Sequence, residues 1–308
     1  MTAVRIGTRA SALALAQSGL VAGWLRAQLA DQVVLVEITS EGDRDRSPLA
    51  QIGGTGVFVS ALRDALQAGE IDLAVHSLKD LPTAPTPDLR VAAIPVREDP
   101  RDVVVARDGL ALAELPRGAV VGTGSPRRAA QIRALGLGFR VEPIRGNVDT
   151  RLRLVQERRV DAVVLARAGL SRLGRLDEVT ETLDPLVMLP APGQGALAVE
   201  CRGSDAALIE SLSALDDPST RCAVTAERSL LAALEAGCTA PVGALAEIAS
   251  GDAGEELWLR AVVAATDGSR IIRMSMTGAP GEASELGQKL AQDMLAEGAS
   301  ALTGEGVP

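Results

Sequence analysis

The chain has 308 residues, 47% of them apolar, with a formal net charge of −9, two tryptophans, two phenylalanines and no tyrosine. That length exceeds one ordinary core and suits two or three domains of roughly 100 residues. The acidity and the scarcity of stacking side chains exclude broad nucleic-acid binding, although a local basic cleft stays open. No run approaches the ~20 apolar residues of a membrane-spanning helix, and the N-terminal stretch lacks the ordering of a secretory signal. A cytoplasmic protein with no membrane partner is expected.

In chain order, VRIG (4–7) reads as a strand, followed by a helix with an apolar stripe through Leu13, Leu20, Trp24 and Leu25 and a strand at 33–39. The Gly-rich link at 53–56 leads into a helix around VFVSALRDAL, ended by Gly69, and IDLAVHS (71–77) reads as a buried strand. LPTAPTPDL (81–89) is a loop, and REDPRD (97–102) is a crossing between domains. The order then returns: strand AVVGTG, helix PRRAAQIRAL, strand FRVEPIRGN, helix VDTRLRLVQERR and strand DAVVLAR. Three short matches keep the same order, IGTRAS with VGTGSP, VEITSEGD with VEPIRGNVD, and IDLAVHS with VDAVVLAR. The expectation is an α/β protein whose two similar domains share a ligand cleft, with APGQG (191–195) as the return hinge.

Past residue 216 the pattern changes to a helix at 223–237, strands at 241–249, 256–266 and 270–278, and an amphipathic helix at 282–297. That is an α+β domain. The expected division is 1–96 with 196–215, then 101–190, then 218–308.

Chemistry concentrates in a few segments. GTRAS carries Arg9 and Ser11 from a strand into a helix start, and GTGSPRR repeats this with Thr123, Ser125, Arg127 and Arg128. Free backbone N–H groups, hydroxyls and arginine forks suit carboxylates or phosphates there; helix capping with solvated arginines is the plainer alternative. RGNVDTR adds Arg145, Arg151 and the helix-cap candidate Asn147, and Arg172 follows the last strand of this half. Such convergence implies a polyanionic ligand.

Basic residues are nearly all arginine, with lysine only at Lys79 and Lys289 and histidine only at His76, so HSLKD (76–80) stands out. Asp80, just past a strand, can move a proton or stabilise a cation, while a Lys-Asp turn before Pro82 is the structural alternative. His76 reads as a strand residue. The cysteines, Cys201, Cys222 and Cys238, show neither CxxC pairing nor a histidine cluster, so neither metal nor a disulfide framework is expected. Cys201 and Cys222 read as packing. Cys238, at the end of a helix in LEAGCTAPVG, is either a small buried residue or a covalent attachment point. Gln194 in APGQG is either part of a hinge or a ligand contact.

Taken together, GTRAS, HSLKDLP, GTGSPRR, RGNVDTRL, LARAGLSRLG, APGQGA and AERSLLAALEAGCTAPVG resemble the porphobilinogen deaminase family, in that order over residues 5–243. The resemblance implies two domains of periplasmic-binding-protein type and a smaller α+β domain. It implies a dipyrromethane cofactor held through a thioether on Cys238, onto which four porphobilinogen molecules are joined head to tail. Ammonia is lost at each addition, and hydrolysis releases hydroxymethylbilane. Asp80 matches the catalytic aspartate. Lys79, Ser125, Arg127, Arg128, Arg145 and Gly146 match cofactor contacts; Arg9, Ser11, Thr123, Asn147, Arg151, Arg172 and Gln194 match substrate contacts. A monomer is expected.

A loop at 41–56 is the candidate mobile element during elongation. Departures from the family pattern are Thr55 and Ser60, where lysines are common, Asp149 in place of a frequent glycine, and Ser229 in place of a frequent arginine. Two rivals remain from other classes. A non-catalytic anion-binding protein suits the arginines but not Cys238 or the missing export signal. A cysteine hydrolase needs a Cys-His pair, and His76 lies in a strand of the first domain.

Overall fold

A computed structural model describes residues 3–29, 32–39, 56–236, 240–251 and 254–302. The chain divides into two compact units, Met1–Glu98 with Ala196–Arg221, and Asp99–Gly195 with Cys222–Pro308.

The first unit is built on β1 (Val4–Thr8), β2 (Val33–Glu37), β3 (Leu73–Ser77), β4 (Leu89–Ala93) and, from the returning chain, β10 (Leu197–Arg202). Their order is β2-β1-β3-β10-β4; β1 runs parallel to both its neighbours and β10 antiparallel to both of its own. Successive strand side chains point to opposite faces. Leu73 and Val75 accordingly join Ile6, Val21 and Leu25 on the face covered by α1 (Ala12–Leu29). Ala74 joins Leu62, Leu66 and Ile71 on the face covered by α2 (Gly56–Gln67). A strand buried on both faces needs an unbroken apolar run, which LAVHS nearly supplies. Its polar exception, His76, is buried, with Nε2 3.2 Å from Glu200 Oε2. Arg63 from α2 forks onto the same carboxylate at 2.8 and 3.1 Å. Burial opposes ionisation of Glu200, but His76 and Arg63 hold its carboxyl below the ordinary value.

The second unit repeats the plan. Strands β5 (Asp102–Ala106), β6 (Val120–Gly122), β7 (Arg140–Glu142), β8 (Ala162–Ala166) and β9 (Glu181–Thr182) form a sheet of order β7-β6-β8-β5-β9. Again β6 is parallel to both neighbours, and β5 is antiparallel to both of its own. Strand for strand this is the first sheet, so the duplication expected from the three sequence matches is present in the topology. One face packs Val104, Val121 and Val164 against Ile132 of α3 (Pro126–Ala134). The other packs Val103, Val163 and Leu165 against Leu152 of α4 (Val148–Gln156) and Leu170 of α5 (Arg167–Arg172).

Helix α6 (Ala206–Ser213) lies after β10, and α7 (Pro218–Ala233) follows it. The α7 helix begins five residues before the expected start. Pro218 takes its first position, and the Asp217 carboxylate accepts from the Thr220 N–H at 2.7 Å. An antiparallel sheet of β11 (Val242–Gly251), β12 (Gly254–Ala264) and β13 (Ile271–Gly278) comes next, then α8 (Ala283–Ala296). Leu230 of α7 and Leu290 and Met294 of α8 bury against Ala244, Leu257, Leu259 and Val263 on one face. Trp258, on the other face, is exposed. The molecule is thus two α/β domains of one topology and a C-terminal sheet domain. Among the described residues no helix is long and apolar enough to cross a membrane.

Candidate functional site

Strand polarity decides where the singled-out residues fall. In the first sheet β1 and β3 are parallel neighbours, Gly7 lying opposite Ala74, so the segments that leave their C-terminal ends are adjacent. One carries Arg9 and Ser11, whose Oγ accepts from the Ala14 N–H at 3.3 Å and caps α1. The other is a single 3-10 turn, Leu78–Asp80. Leu78 anchors that turn through burial and through its N–H to the Ala196 carbonyl at 3.0 Å. Lys79 and Asp80 are half-buried, and no ion pair engages the Asp80 carboxylate among the described residues.

The second sheet gathers a larger set. After β6, Thr123 is buried and its Oγ1 accepts from the Ser125 N–H at 3.2 Å. Ser125 caps α3, accepting from the Arg128 N–H at 3.4 Å. After β7 come Arg145, Gly146 and Asn147, all exposed, and Asn147 caps α4 by accepting from the Thr150 N–H at 2.9 Å. Two of the glycines are sterically required. A Cβ on Gly124 would lie 2.6 Å from the Ile144 carbonyl oxygen. Gly146 has φ +100°, and a Cβ there would meet Thr150 at 2.7 Å.

Asp102 was not singled out by sequence, and it is the hub of this set. Because β5 is antiparallel to β8, its first residue lies opposite Ala166 at the C-terminal end of β8. Fully buried, it accepts from Arg127 Nη2 at 2.8 Å, from Arg128 Nη2 at 2.8 Å and Nε at 3.1 Å, and from Gln194 Nε2 at 2.8 Å. Burial raises its pKa, but the Arg127 and Arg128 charges, helped by the Arg128 and Gln194 hydrogen bonds, bring the carboxyl down to about 2. Arg127 moves the opposite way to an ideal partner: burial outweighs Asp102 and lowers it. Gln194 also donates to the Pro100 carbonyl at 2.7 Å, and Arg172 donates to the Gly195 carbonyl at 2.5 Å. The Arg127, Arg128 and Gln194 side chains are thus engaged with the protein itself.

Arg151 differs. Its Nε donates to the Gly146 carbonyl at 2.9 Å, and no carboxylate pairs with it among the described residues. Burial and then the neighbouring Arg128 charge lower its pKa, as expected of a cation short of an anion. Asp149 does not quench it, because Arg175 Nη1 holds the Asp149 carboxylate at 2.6 Å. Ser60 lies exposed on α2, and Ser229 packs its hydroxyl 3.1 Å from that of Ser284. A further buried carboxylate missed by sequence, Glu227 of α7, accepts from the Gly193 N–H at 2.6 Å and the Ala246 N–H at 2.9 Å, fixing the APGQG turn. Cys201 is buried in β10, and burial pushes its thiol up to about 11. Cys222 donates to the Pro280 carbonyl at 3.2 Å. Cys238, Thr55 and residues 41–55 of the candidate mobile loop lie outside the described residues.

The strand ends of the second sheet thus carry three guanidiniums, those of Arg127, Arg128 and Arg151, around one buried carboxylate, an arrangement suited to anionic groups. Residues 4–210 match the family model "Porphobilinogen deaminase, dipyromethane cofactor binding domain", and residues 221–296 match "Porphobilinogen deaminase, C-terminal domain". Porphobilinogen deaminase 1 of Streptomyces coelicolor is 61% identical, over 98% of each chain. Porphobilinogen deaminase of Mycobacterium tuberculosis is 59% identical, over 97% of this chain and 98% of the relative. Among solved structures, the VFT2 domain of Bordetella pertussis BvgS aligns over 68% of this chain and 85% of its own, with TM-score 0.42 and 16% identity. The L-cystine solute receptor of Neisseria gonorrhoeae aligns over 69% and 84%, with TM-score 0.39 and 14% identity. The chain belongs to the porphobilinogen deaminase family and is a transferase of tetrapyrrole biosynthesis.

The residues present fit the cofactor for which the matched domain is named. Each pyrrole of a dipyrromethane bears two carboxylates. The half-buried Arg151 lacks a counter-ion among the described residues, and Arg127 Nε is buried without a hydrogen-bond partner. Carboxylate oxygens meet both needs.

Proposed function

We propose that the chain joins four porphobilinogen molecules head to tail and releases them as hydroxymethylbilane, with Asp80 as the catalytic group and Cys238 as the cofactor's attachment point. The single observation that carries the assignment of the anion site is the cluster in which Arg127 and Arg128 share one buried carboxylate, Asp102, while Arg151, beside Arg128, has none among the described residues. Arg127, Arg128, Arg145, Ser125, Gly146 and Lys79 would hold the dipyrromethane. Arg9, Ser11, Thr123, Asn147, Arg151, Arg172 and Gln194 would receive the acetate and propionate groups of the substrate units. When bound, the dipyrromethane supplies the free pyrrole α-carbon to which units are joined. The acidic net charge and this local excess of arginine together favour a small carboxylated substrate over a nucleic acid. A cytoplasmic monomer and the three-domain division at 1–96 with 196–215, 101–190 and 218–308 complete the proposal.

Asp80 acts where ammonia leaves. The bond from the exocyclic methylene of porphobilinogen to its protonated amine breaks with the electron pair going to nitrogen, ammonia leaves, and the pyrrole with its methylene is left as an azafulvenium cation. A half-buried carboxylate with no competing ion pair among the described residues can accept from the pyrrole N–H and offset that charge. It can also take up the proton released from the attacking α-carbon as aromaticity returns. The Asp80→Ala variant is expected to fold and to carry the covalent cofactor while turnover falls at least about 100-fold. Steady-state ammonia release checks this, and near-normal turnover would refute the role of Asp80.

A further inference from the structure

Asp102 opens the antiparallel strand β5, and it is reached by three side chains from two other segments, Arg127 and Arg128 at the start of α3 and Gln194 in the APGQG turn. Two further donors of the pair are also tied down, while Arg127 Nε is buried without a partner among the described residues. Arg128 Nη1 donates to the Val164 carbonyl at 3.1 Å, and Arg127 Nη1 donates to the Leu189 carbonyl. Two guanidiniums on consecutive residues of a buried helix start repel each other, and each side chain has several rotatable bonds to escape by. A carboxylate between them removes both liabilities. It accepts from both forks, and it reduces the charge of the pair from two units to one.

We infer that Asp102 is a positioning residue, which holds the Arg127 and Arg128 guanidiniums and the Gln194 amide as one rigid unit aimed at a ligand carboxylate. The inference rests on the proposed reading of Arg127 and Arg128 as carboxylate-binding residues. Geometry outweighs charge here, because a forked hydrogen bond to a carboxylate needs both N–H groups in line, and a guanidinium freed from Asp102 turns away from its neighbour. Removing the carboxylate therefore weakens binding although it leaves the site more positive.

The test uses the full chain in its apo form, loaded with porphobilinogen and followed by intact mass. Asp102→Glu keeps the charge but displaces both guanidiniums, and Asp102→Asn removes the charge. In each, the half-saturating porphobilinogen concentration for loading should rise about tenfold, while the plateau rate stays within about twofold. Ile132→Val, in the core beneath the same helix, controls for general loosening and should load as the parent chain does. An unchanged or lowered half-saturating concentration in a folded Asp102 variant overturns the inference. So does the same rise in Ile132→Val, or loss of a cooperative melt in both Asp102 variants, since the role is then structural. Arg127→Gln and Arg128→Gln separate the two layers. If they load normally, the reading of the arginines themselves fails; if they load poorly while Asp102 variants load normally, only Asp102's role fails.

Discussion

At the scale of single residues, the balance between burial and pairing around Asp102 sets how the second α/β domain answers to acid. Its folded-state pKa of about 2 lies below the ordinary 3.8. The stabilisation is therefore complete above about pH 4 and is lost as pH falls through 2, a contribution of about 2 kcal/mol for a fully buried group. Denaturant midpoints measured between pH 5 and pH 2.5 should fall less steeply in Asp102→Asn than in the parent chain; parallel slopes would contradict the assignment. Arg151 gives the converse case. Its guanidinium is destabilised by burial and by Arg128, so Arg151→Met should leave apo-protein stability equal or higher while weakening porphobilinogen binding about tenfold. Thermal melting and a binding titration on the same sample check both halves, and a destabilised variant that binds normally would overturn the argument.

At the scale of elements, the turn from β6 into α3 brings the helix start proposed to bind anions close against the chain leaving β7. Gly124→Ala places a methyl 2.6 Å from the Ile144 carbonyl, a backbone atom that cannot yield cheaply, and should destabilise by about 1–3 kcal/mol in chemical denaturation. Ser125→Ala loses the cap on Arg128 N–H and should cost about 1 kcal/mol. Much of this was legible. GTGSPRR announced a capped helix, IDLAVHS a buried strand and DAVVLAR a strand. Asp102 was not legible, because REDPRD reads as a crossing, and only the antiparallel course of β5 carries its first residue to Arg127 and Arg128. The same lack of local signal hid β4 and the two-residue β9, whose partners are distant in sequence. The early start of α7 was readable in Asp217-Pro218, a cap followed by a first-turn proline. The pairing of Asp149 with Arg175 was not, since it joins residues 26 apart on different elements.

At the scale of the whole molecule, the two sheets of one topology carry different side chains at their strand ends. The first offers a carboxylate without an ion pair among the described residues, Asp80, and the second an arginine cluster braced by Asp102 and, through the APGQG turn, by Glu227. The α7 helix that bears Glu227 runs on toward the segment containing Cys238. A transferase of this kind needs its ligand tethered, because each addition leaves a more highly charged chain that must stay bound until the last. The tether is the claim on which the rest depends. Intact mass of the purified chain, incubated with porphobilinogen and compared with Cys238→Ala, tests it most directly. The account predicts an excess equal to two linked pyrrole units in the parent chain and none in the variant. An unmodified parent chain that releases no ammonia, or the same excess in both proteins, would contradict it.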